Sequence, residues 1–362
     1  MDDSWRGRLQ PYMGALKVVS ATATLMLAGV GGAYWLLSWH IDRNWPVAPE
    51  ITRRATRRLL RGAAMREHVA PDARIAYMFL LAALEQIHAD GELDEGAPAV
   101  QEIVVRLADA ASRIGEAAPA RRMLEDAWRR VVDDDGLLRG AGDRWVQLHA
   151  CRIADVLGPL QLKAGDPRAA KHTLAAALRA AKQVLDAPDA PAAAREEMLL
   201  RHANYLTSLG EALALLGDLD SSQALLSSVL GELRARAPSS PSSSSPPPSS
   251  SQPRRADRWT CLDAIVMLDL SQVAQRRGAA DDARRWAAAG LAATAEWPKV
   301  HACQLCRAHL LPHLAALAER AGDPRDARGL YAAAIAHAEA TGLGDADHAR
   351  QAMSRIDAKL DK

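Results

Sequence analysis

The sequence predicts an all-α protein in which a single transmembrane helix precedes a solenoid of paired helices. Hydrophobic residues make up 49% of the 362 residues, whereas aromatic residues make up 4%, with a single Phe. This balance favours closely packed helices over β-sandwiches. An uncharged apolar run stands near the N-terminus, and one pattern of small and apolar residues recurs along most of the chain after it.

Charge and cysteine content exclude several classes of protein. Lys and Arg number 45 and Asp and Glu 44, which leaves a net charge of +1. Such a balance speaks against nucleic-acid binding and against a polybasic membrane patch. The four cysteines are too few and too scattered for a small disulfide scaffold.

The apolar run predicts the transmembrane helix. After an N-terminal tail, residues 1–17, residues 18–39 read VVSATATLMLAGVGGAYWLLSW, 22 residues without a charge. They form a helix of about 33 Å, and a hydrocarbon core is about 30 Å thick. Within the span, Ala28 and Gly32 form a small-xxx-small pair that lets a partner helix approach closely. By the positive-inside rule, the five arginines at positions 53–61 should stay on the cytoplasmic or matrix side, but such a cluster can cross the membrane as part of a folding domain, so the orientation stays open.

A recurring template predicts the helix pairs. Small or apolar residues occupy positions 4, 7, 8 and 11 of a first helix and positions 20, 24 and 27 of a second. In AGDP, residues 164–167 and again 321–324, Gly ends the first helix, Asp caps the second and Pro takes its first position. The pattern resembles the tetratricopeptide repeat. Repeats are therefore expected over residues 50–236 and 257–360, and the last stretch is expected to be a terminal capping helix.

A Ser/Pro-rich segment, residues 237–256, interrupts the array. It contains nothing that can bury apolar surface, so we expect a disordered loop. A tolerated surface insertion is favoured over a docking or phosphorylation segment, because lengthening a loop costs little.

The first helices of such repeats line a groove, and their outward positions supply candidate partner-binding residues. Position 13 is basic in four of five clear copies, although a cation at a helix C-terminus also complements the helix dipole. A partner-binding role and a role in complementing the helix dipole therefore both stand as interpretations of these basic residues. The candidate groove residues are Arg113, Arg152, Lys163, Asn204, Glu211, Gln272, Arg276, His309, His313 and Arg320.

The most concentrated chemical signal is Cys303, Cys306, His309 and His313, which share one side of a helix. They extend over about 15 Å, so the four side chains cannot converge on one metal ion. A disulfide between Cys303 and Cys306, a metal bound with outside help, and simply buried cysteines remain open. Motifs of nucleotide-binding and hydrolytic enzymes are absent from the sequence. We therefore expect no metal, no cofactor and no enzymatic activity.

Two stretches resemble a known family. They are PDARIAYMFLLAALEQIHADGELDEGAPAVQEIVVRLADAASRIGEAAPARRMLEDAWRR, residues 71–130, and CQLCRAHLLPHLAALAERAGDPRDARGLYAAAIAHAEATG, residues 303–342. The family is the fungal mitochondrial inner-membrane tetratricopeptide adaptor subunit of the i-AAA protease complex, which is related to a tetratricopeptide assembly factor of respiratory complex III.

This resemblance implies a single-pass protein of the mitochondrial inner membrane with its repeats in the intermembrane space. Such an adaptor binds unfolded or membrane protein substrates and presents them to the i-AAA protease and its small membrane subunit for quality-control degradation. An assembly factor of the complex III type and a general tetratricopeptide interaction scaffold are the alternatives.

Overall fold

A computed structural model describes residues 32–33, 35–133, 135–140, 143–188, 191–236, 261–295 and 297–360. The predicted tail, the Ser/Pro-rich segment, Ala28 and residues 18–31 of the predicted span lie outside this part of the chain. The chain divides into two units, Met1–Ala127 and Trp128–Lys362, and each is described by itself.

The first unit begins with helical residues 35–44 and continues with closely packed helices. Helix α1 packs on α2, and α2 on α3. Their shared core contains Leu80, Ile87, Ile103 and Leu107, all buried. The elements are α1 (Arg54–Ala64), a π-helical turn (Met65–Val69), α2 (Ala73–Asp90), α3 (Pro98–Arg113) and α4 (Ala117–Val131), whose last residues belong to the second unit.

In the second unit each helix packs against the next one along the chain. The helices are α5 (Arg144–Lys163), α6 (Pro167–Asp186), α7 (Ala192–Leu215), α8 (Leu219–Arg236), α9 (Leu262–Arg276), α10 (Ala280–Ala295), α11 (His301–Arg320), α12 (Pro324–Thr341) and α13 (Ala346–Leu360). The odd-numbered helices α5 to α11 are the predicted first helices, and α6 to α12 are the second ones. Helix α13 packs on α12.

The turn between first and second helix has the same structure in all five clear copies of the template. A glycine at position 15 takes a positive φ of 75–92°, and the next N–H donates to the carbonyl of position 11 over 2.9–3.0 Å. This 6→1 hydrogen bond defines the Schellman motif. The position-15 glycines are Gly115, Gly165, Gly217, Gly278 and Gly322. Asp166 and Asp323 cap the second helices, as predicted.

Position 8 is where the two helices of a pair approach most closely. A Cβ on Gly158 would lie 2.9 Å from Leu174, and one on Gly210 would lie 2.7 Å from Leu226. A hydrogen bond also joins the two helices here. The hydroxyl of Ser222, at position 20, donates to the carbonyl of Gly210, at position 8, over 2.7 Å. The predicted pairing of helices is thereby confirmed.

Two features differ from the simplest repeat pattern. Position 4 falls at residues 104, 154, 206, 267 and 311, so successive pairs are separated by 50, 52, 61 and 44 residues rather than by a constant period. The register is constant only within a pair, because the links from one pair to the next vary. In addition, Pro159 and Pro312 lie inside α5 and α11, which continue through them to Lys163 and Arg320.

Among the described residues, no helix combines the length and apolar character needed to cross a bilayer. The predicted span thus stays a prediction. Gly32 of its small-xxx-small pair has no atom within 4 Å of the place its Cβ would take.

We predict that Gly210→Ala lowers the free energy of unfolding by about 1 kcal/mol, because the strain of overpacking against buried Leu226 exceeds the gain in helix propensity. The control is Gly231→Ala in α8, where no atom lies within 4 Å of the added Cβ. It should raise the free energy by about 0.5–1 kcal/mol. Urea unfolding followed by circular dichroism gives both values. Equal shifts in the two variants would contradict the close approach.

Candidate functional site

A cleft opens on the second unit, where first helices lie side by side. Helix α5 contacts α7, and α7 contacts α9. The cleft between them has a volume of about 380 Å³. Its lining combines apolar and polar side chains, namely Ala154, Asp155, Pro159, Leu174, Glu197, Leu200, Arg201, Asn204, Tyr205, Thr207, Ser208, Leu262 and Ile265.

One ionic network holds a wall of the cleft in place. Arg201 Nη1 donates to Asp155 Oδ2 over 2.6 Å, and its Nε lies 3.5 Å from Glu197 Oε1. The single O–H hydrogen of Tyr205 is shared between Asp155 Oδ1, at 2.6 Å, and the carbonyl oxygen of Cys151, at 2.8 Å. Burial next to the Asp155 carboxylate raises the pKa of Tyr205, so its hydroxyl stays protonated. The network ties α7 firmly to α5.

Other polar groups in the lining are available to a ligand. Because Pro159 has no N–H, the carbonyl of Asp155 loses the hydrogen bond that residue 159 of a helix normally donates to it. The side chain of Asn204 is exposed, and no described residue forms a hydrogen bond with it. An amide side chain both donates and accepts, so Asn204 is suited to bind a peptide backbone.

A second, smaller cavity of about 10 Å³ lies farther along α7, between it and α9. Glu211, Asp269, Gln272 and Arg276 supply its polar lining. Burial raises the pKa of Asp269 well above its usual range, and the negative charge of Glu211 adds to this shift. Burial also raises the pKa of Glu211, against the effect of Arg276. The cavity therefore contains two carboxyl groups whose ionised forms are disfavoured and one guanidinium group.

The cysteines pair differently from the sequence-based expectation. Cys303 forms a disulfide with Cys261, and their Cα atoms are 5.3 Å apart. A Cys303–Cys306 disulfide, one of the alternatives that the sequence left open, does not form, because the packing of α9 near α11 brings Cys261, 42 residues earlier, against the first turn of α11. Cys306 is a buried free thiol. Burial and two nearby carboxylates raise its pKa to about 12, so it is not a reactive thiolate at neutral pH.

The two predicted histidines have different surroundings. His309 is exposed, whereas His313 Nε2 lies 2.9 Å from the hydroxyl of Ser271. That hydroxyl donates its one hydrogen to the carbonyl of Ala283, so it must accept from Nε2–H of His313. Burial and the charge of Arg320 lower the pKa of His313. His313 therefore joins helices rather than facing a ligand, and no three potential metal ligands cluster in the described chain.

Four of the predicted groove residues come together in the second unit. Asn204 lines the cleft, and Glu211, Gln272 and Arg276 line the second cavity. Of the other six, His313 joins helices through Ser271, Arg113 in the first unit pairs with Asp109 over 2.7 Å, and four are exposed elsewhere in the second unit. The exposed ones are Arg152, Lys163, His309 and Arg320.

Sequence reasoning missed Asp155, Arg201, Tyr205 and Asp269. The outward positions used to predict groove residues were positions such as 2, 5, 9, 12 and 13 of each first helix. Arg201 precedes position 1 of its copy, and Tyr205 and Asp269 occupy positions 3 and 6, which are not among them. The Glu197–Arg201 spacing of four residues, which allows an ion pair on one helix face, was the available signal for this network.

No protein-family model matches the chain, and no curated protein does. It is similar to solved structures of a putative kinesin light chain with tetratricopeptide-like repeats from Podospora anserina (13% identity, 68% of this chain and 98% of that one, TM-score 0.46). Others are a Rap protein complexed with Competence and Sporulation Factor (14%, 88% and 83%, 0.47) and apo RapI (8%, 91% and 81%, 0.49). These TM-scores lie below 0.5. The chain's own turns and helix contacts define it as an all-α repeat protein of the tetratricopeptide type.

We predict that the double variant Cys261→Ser/Cys303→Ser loses roughly 4 kcal/mol of unfolding free energy, because the disulfide closes a loop of 42 residues in the unfolded chain. Cys306→Ala serves as the thiol control. Urea unfolding with and without dithiothreitol should separate the two effects. The reductant should destabilise the wild type and Cys306→Ala but leave the double variant unchanged. Insensitivity of the wild type to reductant would contradict the disulfide.

We also predict that Asp269→Asn raises the free energy of unfolding at neutral pH. The folded pKa of Asp269 exceeds its ordinary value of 3.8, so the folded state binds more protons than the unfolded state above that pH. Wild-type stability should consequently fall as the pH rises from about 4 towards the raised folded pKa.

In Asp269→Asn, the free energy of unfolding should fall less with rising pH than it does in the wild type. Asp282→Asn, which removes an exposed partner of Arg285, should keep the wild-type dependence. Chemical unfolding at a series of pH values measures the slopes. A slope for Asp269→Asn as steep as that of the wild type would show that Asp269 ionises normally.

Proposed function

We propose that this protein is a non-enzymatic, membrane-anchored adaptor that binds segments of other proteins in the groove formed by α5, α7 and α9. The observation that carries the proposal is the cleft of about 380 Å³, where a fixed ionic network stands beside polar groups free to bind a ligand. The buried thiols fit a non-catalytic role. Burial raises the pKa of both Cys151 and Cys306 to about 12, and a nucleophilic cysteine needs a lowered pKa.

Exposed apolar side chains support the membrane anchor. On the helical residues 35–44, the exposed fractions of Trp35, Leu36 and Trp39 are 66%, 58% and 51%. Tryptophans concentrate at the membrane–water interface, and these three residues continue the apolar run 18–39. In the proposed protein, this helix belongs to the membrane anchor.

The more specific proposal is an adaptor of the mitochondrial i-AAA protease in the inner membrane. The resemblance of residues 71–130 and 303–342 to that family supports it. The Cys261–Cys303 disulfide supports an oxidising compartment such as the intermembrane space. The proposed partners are the protease, its small membrane subunit and unfolded or membrane protein substrates, with Ala28 and Gly32 as the helix-packing site in the membrane.

We predict that a photo-reactive p-benzoylphenylalanine in place of Asn204 cross-links to client proteins in intact cells. The same group in place of Ser228, exposed on second helix α8, should yield far fewer cross-links, because Ser228 does not line the groove. Denaturing purification and mass spectrometry identify the products. Equal yields at both positions would contradict groove binding.

A mild-detergent purification of the same protein tests the finer proposal. Co-purification of a AAA protease, lost when residues 18–39 are replaced by an unrelated span, is the expected result. Subunits of respiratory complex III without the protease would instead indicate the assembly factor. Absence of the protein from mitochondria would overturn both of these assignments without affecting the cross-linking result.

A further inference from the structure

One face of α7 joins the cleft to the second cavity. The shared face carries polar side chains at successive turns: Glu197, Arg201, Asn204, Ser208 and Glu211. From Asn204 to Glu211 the helix rises about 10 Å, at about 1.5 Å per residue. An extended chain advances about 3.3 Å per residue, so about three residues cover that distance. A single extended segment can therefore run from the cleft to the second cavity, whose volume of about 10 Å³ admits one group of about the size of a water molecule, such as an ammonium group.

The cleft is suited to an aliphatic side chain. Leu174, Leu200, Leu262 and Ile265 form apolar parts of its lining, beside the ring of Pro159. Burying a leucine-sized side chain in such surroundings contributes about 1.5–3 kcal/mol. Asn204 and the carbonyl of Asp155 lie in the same lining, where they can bind the backbone that carries the side chain.

Charge complementarity identifies the second side chain. Each site contains two carboxyl groups and one guanidinium group, and in the second cavity negative charge is in excess when both carboxyl groups are ionised. The groups are Asp155, Glu197 and Arg201 in the cleft, and Glu211, Asp269 and Arg276 in the second cavity. The groups of α11 supply no cation next to Asp269, since the thiol of Cys306 and the imidazole of His313 are both neutral at pH 7.

The two sites differ in how well their carboxylates are satisfied. In the cleft, Asp155 accepts hydrogen bonds from Arg201 and Tyr205. In the second cavity, no described residue donates a hydrogen bond to Asp269, and Glu211 adds a like charge beside it. A cation placed between these two carboxylates would relieve their repulsion and form charge-assisted hydrogen bonds. The second cavity is thus the site that lacks a positive charge.

We propose that the groove selects an extended polypeptide segment with an aliphatic side chain in the cleft and, about three residues away, a lysine whose ammonium group lies between Glu211 and Asp269. This inference rests on the proposed peptide-binding function and adds the class of segment. Gln272 supplies a further acceptor for the ammonium group.

The test is an array of N-acetylated, C-amidated octapeptides of Gly and Ser, each with one leucine and one lysine. The leucine stays at a fixed position, and the lysine is placed at each of the remaining positions in turn. Each peptide has a counterpart with Nε-acetyl-lysine, which keeps the shape and removes the charge. Binding is measured by fluorescence anisotropy with the full chain in mild detergent. We expect lysine at the third residue from leucine to bind at least tenfold more tightly than its acetylated counterpart.

Asp269→Asn and Glu211→Gln should each reduce this preference severalfold, and Asp282→Asn should retain it. Leu262→Ala should weaken all leucine peptides without changing the ratio of lysine to acetyl-lysine. Circular dichroism checks that every variant is folded.

Two results would overturn this inference and leave the adaptor function standing. One is equal binding of the lysine and acetyl-lysine peptides, and the other is an undiminished preference of Asp269→Asn for lysine over acetyl-lysine. Failure of every peptide to bind would also overturn it. The cross-linking at position 204 then decides separately whether the groove binds proteins at all.

Discussion

The close approach of two helices at position 8 is the constraint on which the second unit depends. Gly158 and Gly210 have no Cβ, so Leu174 and Leu226 lie directly against the backbone of the first helix. A Cβ at either of these two positions would press against the leucine side chain. Because each second helix also packs on the next first helix, this spacing decides how closely α5, α7 and α9 lie to one another. The cleft lies where these first helices come near enough to share its lining.

Polar groups along the groove are of two kinds, and they do different things. In the Tyr205–Asp155–Arg201 network, the carboxylate of Asp155 accepts hydrogen bonds from both other residues, and these bonds join α5 to α7. Asp269 and Glu211 are partly desolvated, close in space and incompletely neutralised, which costs stability in the absence of a ligand. Binding sites commonly contain such unsatisfied groups, because the ligand supplies the missing partner.

The Cys261–Cys303 disulfide holds the end of α9 that contributes to the cleft lining. Cys261 has a φ of 69°, in the left-handed region that non-glycine residues adopt at a cost, and the next residue, Leu262, lines the cleft. Its covalent bond to Cys303 secures the first turn of α9 to α11. The apolar lining at Leu262 and Ile265 therefore belongs to a helix end that is held in place.

The amino-acid sequence by itself determined the helix pairs. Gly at position 15, Asp after it and Pro at the next helix start act within a few residues of backbone, so residues 164–167 and 321–324 already predict the turns that the structure contains. Asn204 and Glu211 were predicted to face the groove because the register of one helix places them there. The membrane span 18–39 and the family resemblance stay predictions from sequence.

Only the tertiary structure decided which distant groups meet. The pairing of Cys261 with Cys303, the bond between Ser271 and His313, and the cavity shared by Glu211 and Asp269 all join different helices. The links between successive pairs have no common length, so spacing along the chain does not reveal these neighbours. They depend on how α7, α9 and α11 pack, which is decided by side-chain volume at many contacts together rather than by any local motif.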